Sequence, residues 1–261
     1  MSGIKGRKVT PGEAYPSGKG STPCSACPLR ASKHFRKFTP EELRFIEKFK
    51  KDEVRKDPGQ TILVEGENSD YLYTVLSGWL MKLKVLDDGR RQIINYAFPG
   101  DLTGLQGAVF GKMQHSVEAL SPVTLCVFDK RQLWTLYEHH QGLGFDVTWL
   151  AAHEKSILAD FLVTVGQRTA SERIAFLLVS LFRRARTCGL VSKNTMQLPL
   201  TQEHVADTIG FSLVHTNRSL SRLRRLKAFE WHGTTFTMLD EETLVDFAGI
   251  PTAVPGPRPF I

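Results

Sequence analysis

Residues 201–225, TQEHVADTIGFSLVHTNRSLSRLRR, constrain the fold more than any other stretch of the chain. Thr201 is placed to cap a helix in which Val205, Ala206 and Ile209 recur at helical spacing. Gly210 breaks that pattern. Ser212 is placed to cap a second helix, with Thr216, Leu220 and Leu223 on one side and Val214, Asn217, Arg218 and Ser221 on the other. Two short helices joined by a Gly-containing turn are the sequence form of a helix-turn-helix. Leu213 to Lys227 holds four Arg, one Lys and no acid. An ordinary helical hairpin with a solvated basic face would not need turn, apolar stripe and basic outer face to coincide, whereas nucleic-acid binding does.

The rest of the chain divides around this stretch. Residues 1–23, rich in Gly, Ser, Pro and Lys, read as a disordered tail. Thr39 and Pro40 start a short helix with Leu43, Ile46 and Phe49 on its apolar side. From Val54 to Phe128 the pattern turns to short strands, at Thr61–Val64, Tyr71–Leu76, Leu80–Leu86, Gln92–Phe98, Ser116–Leu120 and Thr124–Phe128. Gly59, Gly66, Gly78, Gly89 and Gly100 punctuate them at spacings of seven to twelve, and Asp88-Gly89 is a hairpin signal. Regular turn glycines between short strands predict an antiparallel β-roll, jelly-roll-like in architecture. Leu143, Val147, Leu150, Ile157, Phe161 and Val165 then form a long helical stripe, with Leu158 and Leu162 beside it. One stripe is expected to cover the roll and the other a second subunit, with Leu143, Val147, Leu150, Ile157 and Phe161 assigned to the dimer helix, because a helix-turn-helix usually reads two half-sites. Thr169-Ala-Ser-Glu-Arg-Ile starts a further helix, and Phe229–Trp231 and Thr235–Leu239 flank His232-Gly233 as a two-stranded wing.

The expected fold class is thus α+β. It comprises a disordered tail (1–23), a β-roll sensor (24–138), a dimerisation helix (139–167), a winged helix-turn-helix (168–242) and a C-terminal helix end with a Pro-rich tail (243–261). The formal charge of +7 and pI near 9.3 favour an anionic partner without choosing among DNA, RNA and a membrane surface. The longest apolar-dominated run, Ile174–Phe182, is nine residues and too short to span a bilayer. No apolar core follows Lys5, Arg7 and Lys8, so the N-terminus does not read as a secretory signal. Four cysteines in 261 residues do not make a disulfide framework, and a reducing, cytoplasmic location is expected. No Gly-rich phosphate loop, zinc-protease helix or nucleophile elbow is present, and Cys24-x-x-Cys27 lacks the βαβ setting of a disulfide oxidoreductase. No catalytic residue is assigned. A ligand-binding regulatory module without DNA activity would not need the basic run at 213–227.

The motifs occur in a specific order. Glu65-Gly-Glu, Tyr71-Leu-Tyr, Leu76-Ser-Gly, Asp88-Gly-Arg-Arg-Gln, Pro99-Gly-Asp, Ser171-Glu-Arg and Thr201–Arg225 together resemble the Crp/Fnr family of bacterial transcription regulators over about residues 24–248. The resemblance implies a cytoplasmic homodimer with a cyclic-nucleotide-binding-like roll. It implies binding to a pseudo-palindromic operator on double-stranded DNA, contact with RNA polymerase, and control by a signal at the roll. Arg218 falls at the family's guanine-reading Arg, and a guanidinium can donate two hydrogen bonds to guanine O6 and N7. Val214 stands where the family commonly has Glu, and Asn217 is suited to adenine, so the half-site is expected to depart from familiar ones. Thr201, Ser212, His215, Ser221, Arg222 and Arg225 are expected on the DNA backbone, where contacts set register and not sequence.

Two sensor chemistries known from the family are then open. The Gly-Glu-Leu and Arg-Ser that hold a cyclic nucleotide are Gly104-Leu105-Gln106 and His115-Ser116 here, and these cannot replace the ribose acceptor or the phosphate cation. Cyclic AMP is therefore not expected. In the oxygen-sensing branch four cysteines hold a [4Fe–4S] cluster. Cys24, Cys27 and Cys126 match three of them, while the remaining position falls at Lys33, beside His34. The same cysteines also admit a thiol redox pair, half of a zinc site, or plain structural thiols.

Overall fold

The structure, a computed structural model, describes residues 21–250 and 258–261. Two short helices open it, α1 (Pro28–Ala31) and α2 (Pro40–Phe49). Six strands follow, β1 (Lys50–Lys56), β2 (Thr61–Leu63), β3 (Tyr71–Ser77), β4 (Leu80–Val85), β5 (Arg91–Ala97) and β6 (Leu102–Thr103). Helix α3 (Leu105–Phe110) leads to β7 (Ser116–Ala119) and β8 (Val123–Asp129). Then come α4 (Leu133–His139), the long α5 (Gln141–Gln167), α6 (Ala170–Thr187), β9 (Thr195–Gln197), α7 (Gln202–Ile209), α8 (Leu213–Arg224), β10 (Phe229–His232), β11 (Thr235–Met238) and α9 (Glu241–Ala248).

The first eight strands make two antiparallel four-stranded sheets, ordered β1-β8-β3-β6 and β2-β7-β4-β5. Strand β3 shows how the roll is filled. Tyr73 and Val75 point into the roll beside Leu63, Leu80, Val117 and Leu125, whereas Leu72 joins the cluster holding Phe49, Phe128 and Leu136. Alternation therefore feeds two cores from one strand. Strand β1 is not among the expected strands. Its sequence KKDEVRK buries only Val54, yet it pairs with β8 from Lys56↔Val123 to Lys50↔Phe128. It is an edge strand whose charged side chains erase the apolar alternation, some facing water and Lys50 and Glu53 covered as a pair at 3.2 Å.

Helix α2 starts as expected, with Thr39 and Glu42 exchanging the two bonds of a capping box. The apolar stripe on α5 lies differently from its expected role. Leu143, Val147, Leu150 and Phe161 are buried against their own chain, and Ile157 is half-buried. A stripe found by periodicity gives the helix a wet and a dry side but does not say which neighbour supplies the dryness. The exposed side instead carries Phe145, Thr148, Ala152, Lys155, Ala159, Leu162 and Gly166, at alternating spacings of three and four.

Helix α6 is the hub of the C-terminal half. Ile174, Ala175, Leu177, Leu178, Val179, Leu181 and Phe182 have no exposed surface. Helices α5, α7, α8 and α9 surround it, and β9 joins the wing as a third strand in the order β10-β11-β9. The boundary drawn at 242/243 cuts α9, whose Leu244, Val245 and Ala248 are buried and which packs on α6. Residues 1–20 and 251–257, which hold most of the two expected tails, lie outside the described residues. At its described end the first tail is tied down, with the Thr22 N–H donating to the Glu53 carboxylate at 3.0 Å. Arg258, Phe260 and Ile261 at the other end are 4%, 3% and 4% exposed, not a free tail.

One buried group makes stability depend on pH. His115 lies just before β7, is 4% exposed, and its Nε2 has no hydrogen-bond partner. Burial, reinforced by Lys82 and countered by Glu154 and Glu65, pushes its pKa from 6.5 down to about 4. The unfolded chain takes up this proton below about pH 6.5, and the folded chain only below about 4. The contribution of His115 is therefore complete above that window and lost as pH falls through it, by roughly 3 kcal/mol at most. The urea midpoint is expected to fall from pH 6.5 to pH 4, and His115→Gln to flatten part of that fall; parallel pH profiles would rule the role out.

Candidate nucleic-acid interface

The interface is built on α7 and α8. Thr201 Oγ1 accepts from the His204 N–H at 3.2 Å, and His204 Nδ1 accepts from the Thr201 N–H at 3.2 Å. This reciprocal cap fixes the first residue of α7. Gly210 closes α7 in the left-handed conformation at φ 75°, which lets the chain turn into α8 without a Cβ penalty. Ser212 Oγ accepts from the His215 N–H at 3.3 Å and caps α8. The His215 ring stacks on Phe211 at 4.6 Å, and the Arg173 guanidinium lies 4.5 Å from that same Phe211 ring. Helix α6 thus reaches across to steady the turn.

Helix α8 separates its faces as its sequence requires. Thr216, Leu220 and Leu223 are at most 1% exposed, and Ser219 is buried with them. Val214, 62% exposed, faces water together with His215, Arg218, Ser221, Arg222 and Arg225. Asn217 is half-buried at the margin, its Oδ1 buried and without a hydrogen-bond partner. It nevertheless lines one surface groove with Arg218, Ser221, Arg222 and Arg225. A second groove runs between Val214, His215, Arg218 and Arg222 of α8 and Thr169–Glu172 at the start of α6, closed by Phe247. This wall is a feature that the sequence reading missed. Its sequence signal is the Thr169/Glu172 capping box, which presents the positive end of an 18-residue helix beside α8. Thr201 is exposed, at the start of α7.

The first helix of the pair also touches the roll. Arg91 of β5 pairs with Asp207 of α7, with Nη2 to Oδ2 at 2.6 Å. Gln92 Nε2 donates to the Thr208 carbonyl at 2.9 Å, and the buried Tyr96 hydroxyl meets Thr208 Oγ1 at 2.5 Å.

At the roll, Leu105 starts α3 half-buried and packed on the core, and Met113 at 2% exposure fills the space behind Gly107. Lys82 is buried and its Nζ lies 2.5 Å from Glu154 of α5. Where a cyclic nucleotide would need a ribose acceptor and a phosphate cation, this chain offers the Leu105 side chain and the neutral His115.

The structure brings Cys24, Cys27 and Cys126 near one another, but the fourth cluster position has no thiolate. Cys24 and Cys27 lie half-buried on one 3₁₀ turn, and Cys126 is buried on β8 near Lys50. Burial pushes the Cys126 thiol up to about 12 and the Cys24 thiol upward as well, with Lys50 opposing both. The remaining ligand position is Lys33, an exposed ammonium that cannot act as a thiolate. His34 rests against Gly189, and Cys188 lies 3.6 Å from Arg258 Nη1. Among the described residues no group of three or more His, Cys, Asp or Glu is arranged to hold a metal ion. No helix there is long and apolar enough to cross a membrane.

Comparison with known proteins agrees with this geometry. Residues 53–140 match the cyclic nucleotide-binding domain family and residues 172–247 the Crp-like helix-turn-helix domain family. The chain is 32% identical to the nitrogen fixation regulation protein FixK of Bradyrhizobium diazoefficiens, over 77% of this chain and 84% of that one. It is 30% identical to the transcriptional activatory protein AadR of Rhodopseudomonas palustris, over 67% of this chain and 72% of that one. The solved structure of FixK2 from Bradyrhizobium japonicum superposes with a TM-score of 0.68 at 25% identity, covering 77% of this chain and 98% of that one. A roll, a long helix and a winged helix-turn-helix in this order, with relatives at this identity, place the chain in the Crp/Fnr family of DNA-binding transcription regulators.

Proposed function

We propose that the protein binds a pseudo-palindromic operator in double-stranded DNA as a homodimer and activates transcription there through contact with RNA polymerase, in the cytoplasm. The observation that carries the DNA reading is α8 itself. Its apolar residues are consumed by α6 and α7, and its outer face is left with Arg218, Arg222 and Arg225 and no acid. Arg218 reads guanine, Val214 meets an apolar base edge such as a thymine methyl, and Asn217 reads adenine from the margin of the groove. Thr201, Ser212, His215, Ser221, Arg222 and Arg225 hold phosphates. Activation is the role carried by the name of the relative AadR.

The dimer forms along the exposed side of α5. Phe145, Thr148, Ala152, Lys155, Ala159, Leu162 and Gly166 alternate three and four apart, which is the repeat of a coiled-coil seam. Leu162 is 75% and Phe145 68% exposed in the single chain, an exposure that a second helix would remove. Leu105 and His115 do not suit cyclic AMP, and Cys24, Cys27 and Cys126 supply three thiolates where a [4Fe–4S] cluster takes four, with Lys33 at the remaining position.

Operator sequence comes from selecting bound genomic fragments with aerobically and anaerobically prepared protein. On the selected site, Arg218→Ala should weaken binding by about 1–3 kcal/mol and relax specificity at one base pair. Arg225→Ala should weaken all sites alike and flatten the salt dependence by about one. Parent-like titration by Arg218→Ala would remove that residue from readout. Leu162→Glu should convert the protein to monomers in sedimentation while leaving the far-ultraviolet spectrum unchanged; an intact dimer would move the seam elsewhere.

A further inference from the structure

The last four residues make contacts out of proportion to their number. Arg258 and Phe35 form a parallel bridge, in which the Arg258 N–H donates to the His34 carbonyl at 3.1 Å and the Arg36 N–H donates to the Arg258 carbonyl at 2.9 Å. Phe260 stacks on Phe38 at 4.7 Å and meets Phe35 edge-on at 5.3 Å. The buried Arg258 guanidinium pairs with Asp101 in the loop after β5 and reaches Cys188 Sγ at the end of α6.

Asp101 joins three parts of the molecule. Its own loop belongs to the roll, Arg258 belongs to the chain end, and Arg184 comes from α6, with Nη2 at 3.3 Å from Oδ2. Arg184 also donates to Asn95 Oδ1 at 2.9 Å and to the Tyr96 carbonyl at 2.7 Å, both on β5. Burial alone would raise the Asp101 carboxyl, but Arg258 and Arg184 override it and hold it at about 2. The carboxylate is thus charged throughout the physiological range and is shared by two cations.

Chain order gives these contacts their consequence. The α6–α9 unit is attached to the roll at its start through α5. The chain leaving α9 comes back to the roll at Arg258. A unit tethered at both ends samples fewer orientations than one tethered at a single end. The seam so closed is the one where Arg91, Gln92 and Tyr96 meet α7.

We propose that Arg258–Ile261 is a strap that fixes the α6–α9 unit against the roll through Asp101 and so sets the placement of α8 for operator binding. The strap is a positioning device, since none of its residues lies on the exposed face of α8. Its effect on operator affinity rests on the DNA reading above; its effect on the seam does not.

Charge counting ranks the variants. Arg258→Ala leaves Asp101 paired with Arg184, a neutral pair, so the chain should still fold. Phe260→Ala removes the apolar anchor and leaves every ion pair intact. Asp101→Asn leaves two buried guanidiniums facing one neutral amide, so it should release the strap most fully. The experiment uses the full chain, reading hydrogen exchange by mass spectrometry at residues 91–97 and 202–209 and, in parallel, titration of the selected operator. Arg258→Ala and Phe260→Ala should each raise exchange at both segments about tenfold or more, with the 216–223 segment of α8 unchanged. Operator affinity should fall about tenfold, with Asp101→Asn at least as severe and Arg258→Lys intermediate. Parent-like exchange at the seam in both strap variants overturns the proposal. So does a loosened seam with unchanged or increased operator affinity. If the parent itself binds no DNA, the DNA reading fails, and the exchange arm alone decides whether the strap holds the seam.

Discussion

The structure depends on one enclosed helix. Between Ile174 and Phe182, α6 carries almost no polar side chain, and such a helix is stable in water only if its neighbours cover it all round. The cover is supplied by α5, α7, α8 and α9. Each of these therefore has one face committed to α6, which fixes the face it has left. For α8 that is the basic face. For α9 it is the exposed side bearing Glu242 and Asp246, while Glu241 turns back to pair with Arg183 and Arg186 of α6. The basic face proposed to meet DNA is thus a consequence of an apolar requirement one layer below it.

The same helix joins the reading head to the roll. Its C-terminal turn brings Arg184 to β5 and Asp101, and Arg173 near its start donates to the Ile209 carbonyl at the end of α7. Strand β5 in turn holds α7 through Arg91, Gln92 and Tyr96. The roll therefore touches the helix-turn-helix directly at β5, as well as being joined to it through α5. The charged groups at these contacts are half-buried and paired, so losing one partner would leave the other partly desolvated and unmatched.

How much of this was legible in the sequence follows from the range of each signal. The helix-turn-helix was readable because cap, turn glycine and stripe all lie within 25 residues, from Thr201 to Arg225. Most strands of the roll were readable because turn glycines bracket them. Strand β1 was not, since its charges hide an alternation that only pairing with β8 reveals. Periodicity reveals the apolar stripe on α5 but not which neighbour covers it. Leu143, Val147 and Leu150 are apolar because their own roll covers them, and the seam left for another chain is marked by small residues, Ala152, Ala159 and Gly166, that a search for large apolar side chains passes over. The meeting of Arg258 with Asp101 spans 157 positions and has no local signature at all. The departures in the roll, Leu105 and His115, are visible as substitutions, while the packing of Met113 against Gly107 needs the fold.

Among the described residues, strand β5 lies at the end of its sheet and pairs with β4 alone. An outermost strand offers unpaired backbone groups as a template for other chains, and proteins guard such edges with charge or with a covering element. Here Arg91 begins the strand and α7 lies against it. The first helix of the helix-turn-helix therefore also covers the edge of the roll. With α7 in place, the outer edge of β5 is not free to serve as a template for another chain.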